Sequence, residues 1–260
     1  MGYAPFQLGG KVALVTGGNG GIGLGMAEAL AQAGADIVIW GLNAQKNEAA
    51  HERLRATGSR VLVSTIDVSD EQSVIAGMAE ALQVMGRLDF VAANAGIGGR
   101  GLPFHELETA DWRRVLDVNL DGAFWTLREA CKHMVGRSEA GDPGGSLLAV
   151  SSTSAIHGAA RNEAYGASKG ALLPLIKALA VAYGKHGIRA NAILPGWTRS
   201  DMTAPLQAWE TFNTKAIGRV PMRRWGEPED FGGVAVYLAS DASRFHTGDA
   251  MVIDGGYTVF

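Results

Sequence analysis

Short, mostly apolar runs recur along the chain, separated by longer stretches in which apolar residues return every three or four positions. The runs predict strands at about 11–16, 36–40, 60–66, 88–92, 146–150, 189–194 and 250–253. They are short for helices and too apolar for strands with one wet face, so burial on both sides is expected. Helical spacing predicts, among others, helices over 70–85, 111–134 and 164–183. The last contains Pro174, where a kink rather than a break is expected. This alternation implies a parallel sheet with helices on both faces. No linker, repeat or low-complexity tract interrupts it, and residues 1–260 read as a single domain.

Two segments depart from the alternation. Residues 136–145 are polar and Gly-rich, and predict a surface loop. Residues 197–225 mix aromatics with charges and follow the sixth strand at its C-terminal end, where such sheets bind ligands. A segment that long predicts a lid over a substrate.

Composition narrows the partners. A formal net charge of −3 over 260 residues gives no electrostatic case for nucleic acid or an anionic membrane. The first residues lack a basic n-region and a long apolar run, so no secretory signal is expected. No stretch approaches the roughly 18 apolar residues of a membrane span. Cys131, the single cysteine, reads as a helix-packing residue, and the chain as cytoplasmic. The histidines show no metal-ligand spacing, and no metal is expected.

Candidate chemistry lies in two places. In Thr16-Gly17-Gly18-Asn19-Gly20-Gly21-Ile22-Gly23, a strand ends in a Gly-rich turn that opens a helix. Glycines let the backbone approach a pyrophosphate, and the helix N-terminus offers N–H groups and partial positive charge. In Tyr165-Gly166-Ala167-Ser168-Lys169, a phenol and an ammonium share one helix face. The cation is expected to lower the tyrosine pKa from roughly 10 toward a value useful for acid–base work.

These motifs, with Asn94-Ala95-Gly96, Asn119, Ser152 and Pro195-Gly196, resemble the short-chain dehydrogenase/reductase family over nearly the whole chain. The resemblance implies a doubly wound Rossmann domain with a seven-stranded parallel sheet and a lid after strand six. It implies Tyr165 as acid/base, Lys169 as the residue tuning it and holding the nicotinamide ribose, and Ser152 as holder of the reacting oxygen. It also implies that Asn119 kinks a helix and holds a water bridging to Lys169. Cofactor contacts are implied for Gly17, Asn19, Gly21, Ile22 and Gly23 at the turn, Leu42 beside the ribose and Asp67 and Val68 beside the adenine. Asn94, Ala95, Gly96, Pro195, Gly196, Trp197 and Ser200 complete that set. A homotetramer is implied as well.

The cofactor's identity is less directly written. Gly41 and Leu42 stand where NAD-using relatives carry an acid and NADP-using ones often an arginine, and the Gly-rich turn has no basic residue. With no visible cation for a 2′-phosphate except Lys46, NAD is favoured over NADP. The expected reaction interconverts a secondary alcohol with its ketone, on a sugar, polyol or other small hydroxy compound. Two alternatives are a 3-oxoacyl thioester reductase and a catalytically silent nucleotide-binding protein. Trp197, Met202, Leu206, Trp209 and Phe212 are candidates for a substrate wall or for packing within the lid.

Overall fold

Seven strands form one sheet: β1 (Val12–Thr16), β2 (Asp36–Trp40), β3 (Val61–Ser64), β4 (Phe90–Ala93), β5 (Gly145–Val150), β6 (Ile188–Pro195) and β7 (Ala250–Ile253). Their order is β3-β2-β1-β4-β5-β6-β7, and every pairing is parallel. The structure, a computed structural model, describes residues 3–260. The helices between the strands are α1 (Gly21–Gln32), α2 (Ala44–Arg55), α3 (Glu71–Met85), α4 (Thr109–Leu116), α5 (Gly122–Glu139) and α6 (Glu163–Tyr183). The short α7 (Ala204–Ala208), α8 (Glu210–Gly218) and α9 (Gly232–Ala239) follow β6.

The apolar runs have a simple cause. Alternate strand residues feed two cores on opposite faces of the sheet. Leu14, Val38, Val91 and Leu147 pack with buried residues of α3, α5 and α6. Ala13, Val15, Ile37 and Ile39 pack with residues of α1, α2 and α9. Strand succession runs outward from β1 to β3, then restarts at β4 on the other side of β1. The connections leaving β1 and β4 therefore diverge, and a crevice opens between the C-terminal ends of these strands.

Two expectations are corrected. The helix expected over 111–134 is α4 and α5 joined by a π-helical turn, Asp117–Asp121. α5 then continues to Glu139, so the loop expected at 136–145 shrinks to residues 140–144. α6 runs unbroken through Pro174, as expected, although proline has no N–H for the carbonyl one turn back. Cys131 is buried in the core below α5, and burial pushes its thiol up to about 11, as suits an inert packing residue.

The excursion after β6 is anchored at its base. Arg199 N donates to Gly226 O at 2.9 Å and Gly226 N to Trp197 O at 2.8 Å. Inside it, the Trp197 ring meets Phe212 edge-on at 5.0 Å and Trp225 at 6.1 Å. These three aromatics bind the segment to itself. Among the described residues, no helix is long and apolar enough to cross a membrane.

Candidate active site

At the crevice, Thr16 ties the two diverging strands together. Its Oγ1 accepts from Asn94 N and Ala95 N, both at 3.0 Å, and Asn94 Nδ2 donates to Thr16 O at 2.8 Å. Asn94 thus steadies the sheet. The Gly-rich turn packs directly against it. Gly17 and Gly21 have φ of +63° and +50°, where a side chain would be strained. At Gly23 a Cβ would lie 2.3 Å from Gly17 O and 2.5 Å from Asn94 Nδ2, so only glycine fits. The N-cap of α1, Gly20, has no side chain to satisfy the first-turn N–H groups. A bare helix N-terminus behind a glycine cradle has the shape and polarity for a dinucleotide pyrophosphate.

The second group gathers at the C-terminal end of β5 and the start of α6. Ser152 caps the short turn after β5, its Oγ accepting from Ser154 N at 3.1 Å, and so keeps a hydroxyl proton to donate. Ser151, its neighbour, donates instead to Lys169 O at 2.8 Å and pins α6 to the sheet. Lys169 is 3% exposed, and its Nζ donates to Val150 O at 2.6 Å. Burial lowers its pKa from 10.5 to about 8.

Tyr165 corrects an expectation. Burial pushes its phenol pKa up, against a smaller lowering by the Ser152 hydroxyl. Lys169 Nζ stands 5.9 Å from the tyrosine ring centroid and is directed to a carbonyl, so desolvation outweighs the helix-face attraction read from sequence. Asn119 sits in the π-helical turn, where Nδ2 donates to Ile97 O and Ser168 Oγ, while Oδ1 accepts from Ile97 N at 2.8 Å. Both amide donors are committed, so the side chain holds the loop after β4. A Cβ on Gly96 would lie 3.2 Å from both Asn119 Oδ1 and Lys169 Nζ, which shows how closely these elements meet.

The remaining expected contacts divide. Asp67 Oδ1 accepts from Ser69 N and Oγ, and Val68 packs against Gly122, so both shape the turn beyond β3. Leu42 is exposed just beyond β2. Ala95, Pro195, Gly196 and Trp197 lie at strand ends, and a Cβ on Gly21 would stand 3.3 Å from Ser200 Cβ. Ile22 opens α1.

Three features were missed from sequence. Asn19 donates to Asn47 Oδ1 at 2.7 Å, and Asn47 in turn donates to Gly41 O at 2.9 Å. A Cβ on Gly41 would lie 2.1 Å from Asn19 Nδ2, so an acid there would break this chain before it met a ribose. Lys46 pairs with Asp201 of the lid segment, and Asp201 Oδ2 lies 4.0 Å from a Cβ built on Gly20. His51 shares one face of α2 with Glu48 and Glu52, their ligand atoms within 4.8 Å of one another. That group departs from the scattered arrangement expected of the histidines, but it follows from helical spacing on an exposed face.

The fold and motifs find counterparts among known proteins. The family model described as Enoyl-(Acyl carrier protein) reductase matches residues 17–258. Gluconate 5-dehydrogenase of Gluconobacter oxydans (strain 621H) is 35% identical over 98% of this chain and 97% of its own. Cis-4-hydroxycyclohexanecarboxylate dehydrogenase of Sinomonas cyclohexanicum is 38% identical over 95% of this chain and 96% of its own. The crystal structure of a gluconate 5-dehydrogenase from Burkholderia cenocepacia J2315, in complex with NADP and tartrate, superposes with a TM-score of 0.91 at 33% identity, covering 98% of each chain. The chain belongs to the short-chain dehydrogenase/reductase family and is an oxidoreductase acting on CH–OH groups.

Proposed function

We propose that residues 1–260 form one dehydrogenase unit that interconverts a δ-hydroxycarboxylate and its ketone, using NADP. The observation that carries the reading is the convergence of Ser152, Tyr165 and Lys169 at the sheet edge that also bears the glycine cradle. The substrate class rests on shared chemistry. In gluconate oxidised at C5, and in cis-4-hydroxycyclohexanecarboxylate, three carbons separate the carbinol from the carboxylate carbon. Two quite different skeletons among the relatives thus share one spacing.

A bound nicotinamide would supply or accept the hydride at the carbinol carbon. The chain handles the proton and the oxygen. Tyr165 Oη is the acid in reduction and the base in oxidation, and Ser152 Oγ donates to the same oxygen as its charge changes. A phenol pushed up by burial stays protonated at neutral pH, which suits reduction and makes oxidation faster as pH rises. Lys169 would hold the nicotinamide ribose and keep positive charge near the site. Asn119 positions Ile97 and, through Ser168, α6. The segment 197–225 covers the substrate.

The NAD preference read from sequence gains no support: the end of β2 offers no carboxylate to repel a phosphate, and relatives hold NADP. Lys46, paired with Asp201 in this structure, is the cation that a 2′-phosphate would draw from that carboxylate. Lys46→Ala is expected to raise the NADPH dissociation constant about tenfold, the worth of one charge-assisted hydrogen bond, and to leave NADH nearly unchanged. Titration by nicotinamide fluorescence checks this, and equal effects on both would remove Lys46 from the phosphate site.

The acyl-thioester alternative would draw on basic residues near the entrance, two of which are engaged: Arg100 is paired with Asp111 and Arg199 with Glu227. A cytoplasmic homotetramer completes the proposal; its self-association is supported by the exposed apolar residues Phe124 of α5, Val181 of α6 and Val252 of the edge strand β7. The direct test offers gluconate and cis-4-hydroxycyclohexanecarboxylate with NADP to the purified protein and follows nicotinamide absorbance. Turnover of neither, with turnover of neutral secondary alcohols, would overturn the substrate class.

A further inference from the structure

The C-terminal segment after β7 folds back over the same sheet edge as Ser152 and Tyr165. Asp254 fixes it: its carboxylate accepts from Gly256 N at 2.8 Å, Thr258 N at 2.8 Å and Thr258 Oγ1 at 2.7 Å. Desolvation would raise the Asp254 pKa, but these hydrogen bonds outweigh it and the net shift is downward. The anchored segment presents Tyr257. Its ring meets His157, five residues beyond Ser152, at 5.6 Å and Trp197, two beyond Pro195, at 6.4 Å. Three loops leaving β5, β6 and β7 therefore converge on one phenol.

Over that phenol lies a guanidinium. Arg219, at the C-terminal end of α8 in the lid segment, has its Cζ 4.8 Å from the Tyr257 centroid. A face-on aromatic ring orients a guanidinium without consuming its hydrogen-bond donors. Other arginines around this edge are engaged: Arg100 with Asp111, Arg199 with Glu227 and Arg224 with Asp230. Among the described residues, no carboxylate pairs with Arg219. His157 adds a polar edge. Its Nδ1 lies 3.0 Å from Gly158 O, which assigns the proton to Nδ1 and leaves Nε2 as an acceptor for a hydroxyl in the neutral ring.

We propose that Arg219, held by Tyr257, binds the carboxylate of the substrate and so selects δ-hydroxycarboxylates over neutral alcohols. This rests on the substrate class proposed above and names the residue that reads it. The guanidinium fork matches a carboxylate with two parallel hydrogen bonds, which a neutral carboxamide cannot reproduce. Because Arg219 belongs to the lid, the bond also links recognition of the acid to the segment that covers it. A substrate without the carboxylate loses affinity and lid contact together.

The test compares cis-4-hydroxycyclohexanecarboxylate with its neutral carboxamide, in wild type, Arg219→Met, Arg219→Lys and Tyr257→Leu. The quantity read is the ratio of the two substrates' KM values. In wild type the carboxylate is favoured, and Arg219→Met should collapse that preference ~10- to 100-fold. Arg219→Lys should recover part of it, since charge is kept and the fork lost. Tyr257→Leu should fall between, its arginine present but unheld. Cyclohexanecarboxylate, which cannot react, gives an independent reading by calorimetry: its affinity should fall in step with the KM ratio, while the NADPH dissociation constant and Tm report an intact fold. A wild-type preference for the carboxylate that survives in Arg219→Met overturns the role of Arg219 and leaves the substrate class standing. A wild type that takes the carboxamide but no carboxylate overturns both.

Discussion

Tyr165→Phe is expected to lower turnover at least about a thousandfold in both directions, within the range for removal of a general acid–base group. NADPH binding should change less than about threefold. The reasoning is local. The ring of Tyr165 packs near Lys169 Nζ, 5.9 Å from its centroid, and phenylalanine keeps that ring in place. What disappears is the hydroxyl that faces Ser152. Ser152 would still hold the substrate oxygen, but no group would exchange its proton. Steady-state rates in both directions, with fluorescence titration of NADPH, separate the chemistry from binding. Turnover within tenfold of wild type would mean that another group moves the proton, and the mechanism proposed for Ser152 would need a different partner.

The parts of this molecule that sequence displayed are those governed by local rules. Every strand was visible because both faces of the sheet are covered, so each strand had to be apolar throughout. Ser152 is implied by the resemblance, and its neighbour Ser151 is committed by a bond to Lys169 O. What stayed hidden arises from contacts between distant segments. The π-helical turn at Asp117–Asp121 is stabilised by Asn119 closing on Ile97, 22 residues away, and nothing in helical periodicity announces that bond. Gly41 suggested a vacant acid position, whereas its backbone closeness to Asn19 and Asn47 is what forbids a side chain. Lys46 and Asp201 are 155 residues apart. The meeting of Arg219, Tyr257 and His157 joins loops from three strands. The tyrosine pKa went astray for a related reason: helix spacing revealed the cation four residues on, but not the burial that outweighs it.

Lys169→Met is expected to damage function and to shift stability in a direction that depends on pH. Turnover should fall by at least about a hundredfold, as charge and ribose contact are lost. Stability turns on burial. Lys169 titrates at about 8 in the fold and at 10.5 when unperturbed, with burial as the cause. Between these values the unfolded chain holds the proton more tightly than the native one. Stability therefore rises with pH across that window, and the full penalty of burying the ammonium is felt below it. At neutral pH that penalty amounts to about 3 kcal/mol by the usual conversion. Methionine removes it, but leaves Val150 O without its 2.6 Å partner, a loss of about 1–3 kcal/mol. The variant should thus match or exceed wild type in Tm at pH 7, and fall below it at pH 10, where the native lysine is already neutral and still hydrogen-bonded. Thermal melts at the two pH values check the sign. A Tm difference that does not change with pH would show that Lys169 meets enough water or countercharge to keep its ordinary pKa, and its retention of charge beside Tyr165 would then need no compensation from the fold. If the difference reverses as expected, the ammonium is held in place against the stability of the protein, which is the signature of a residue kept for chemistry and not for packing.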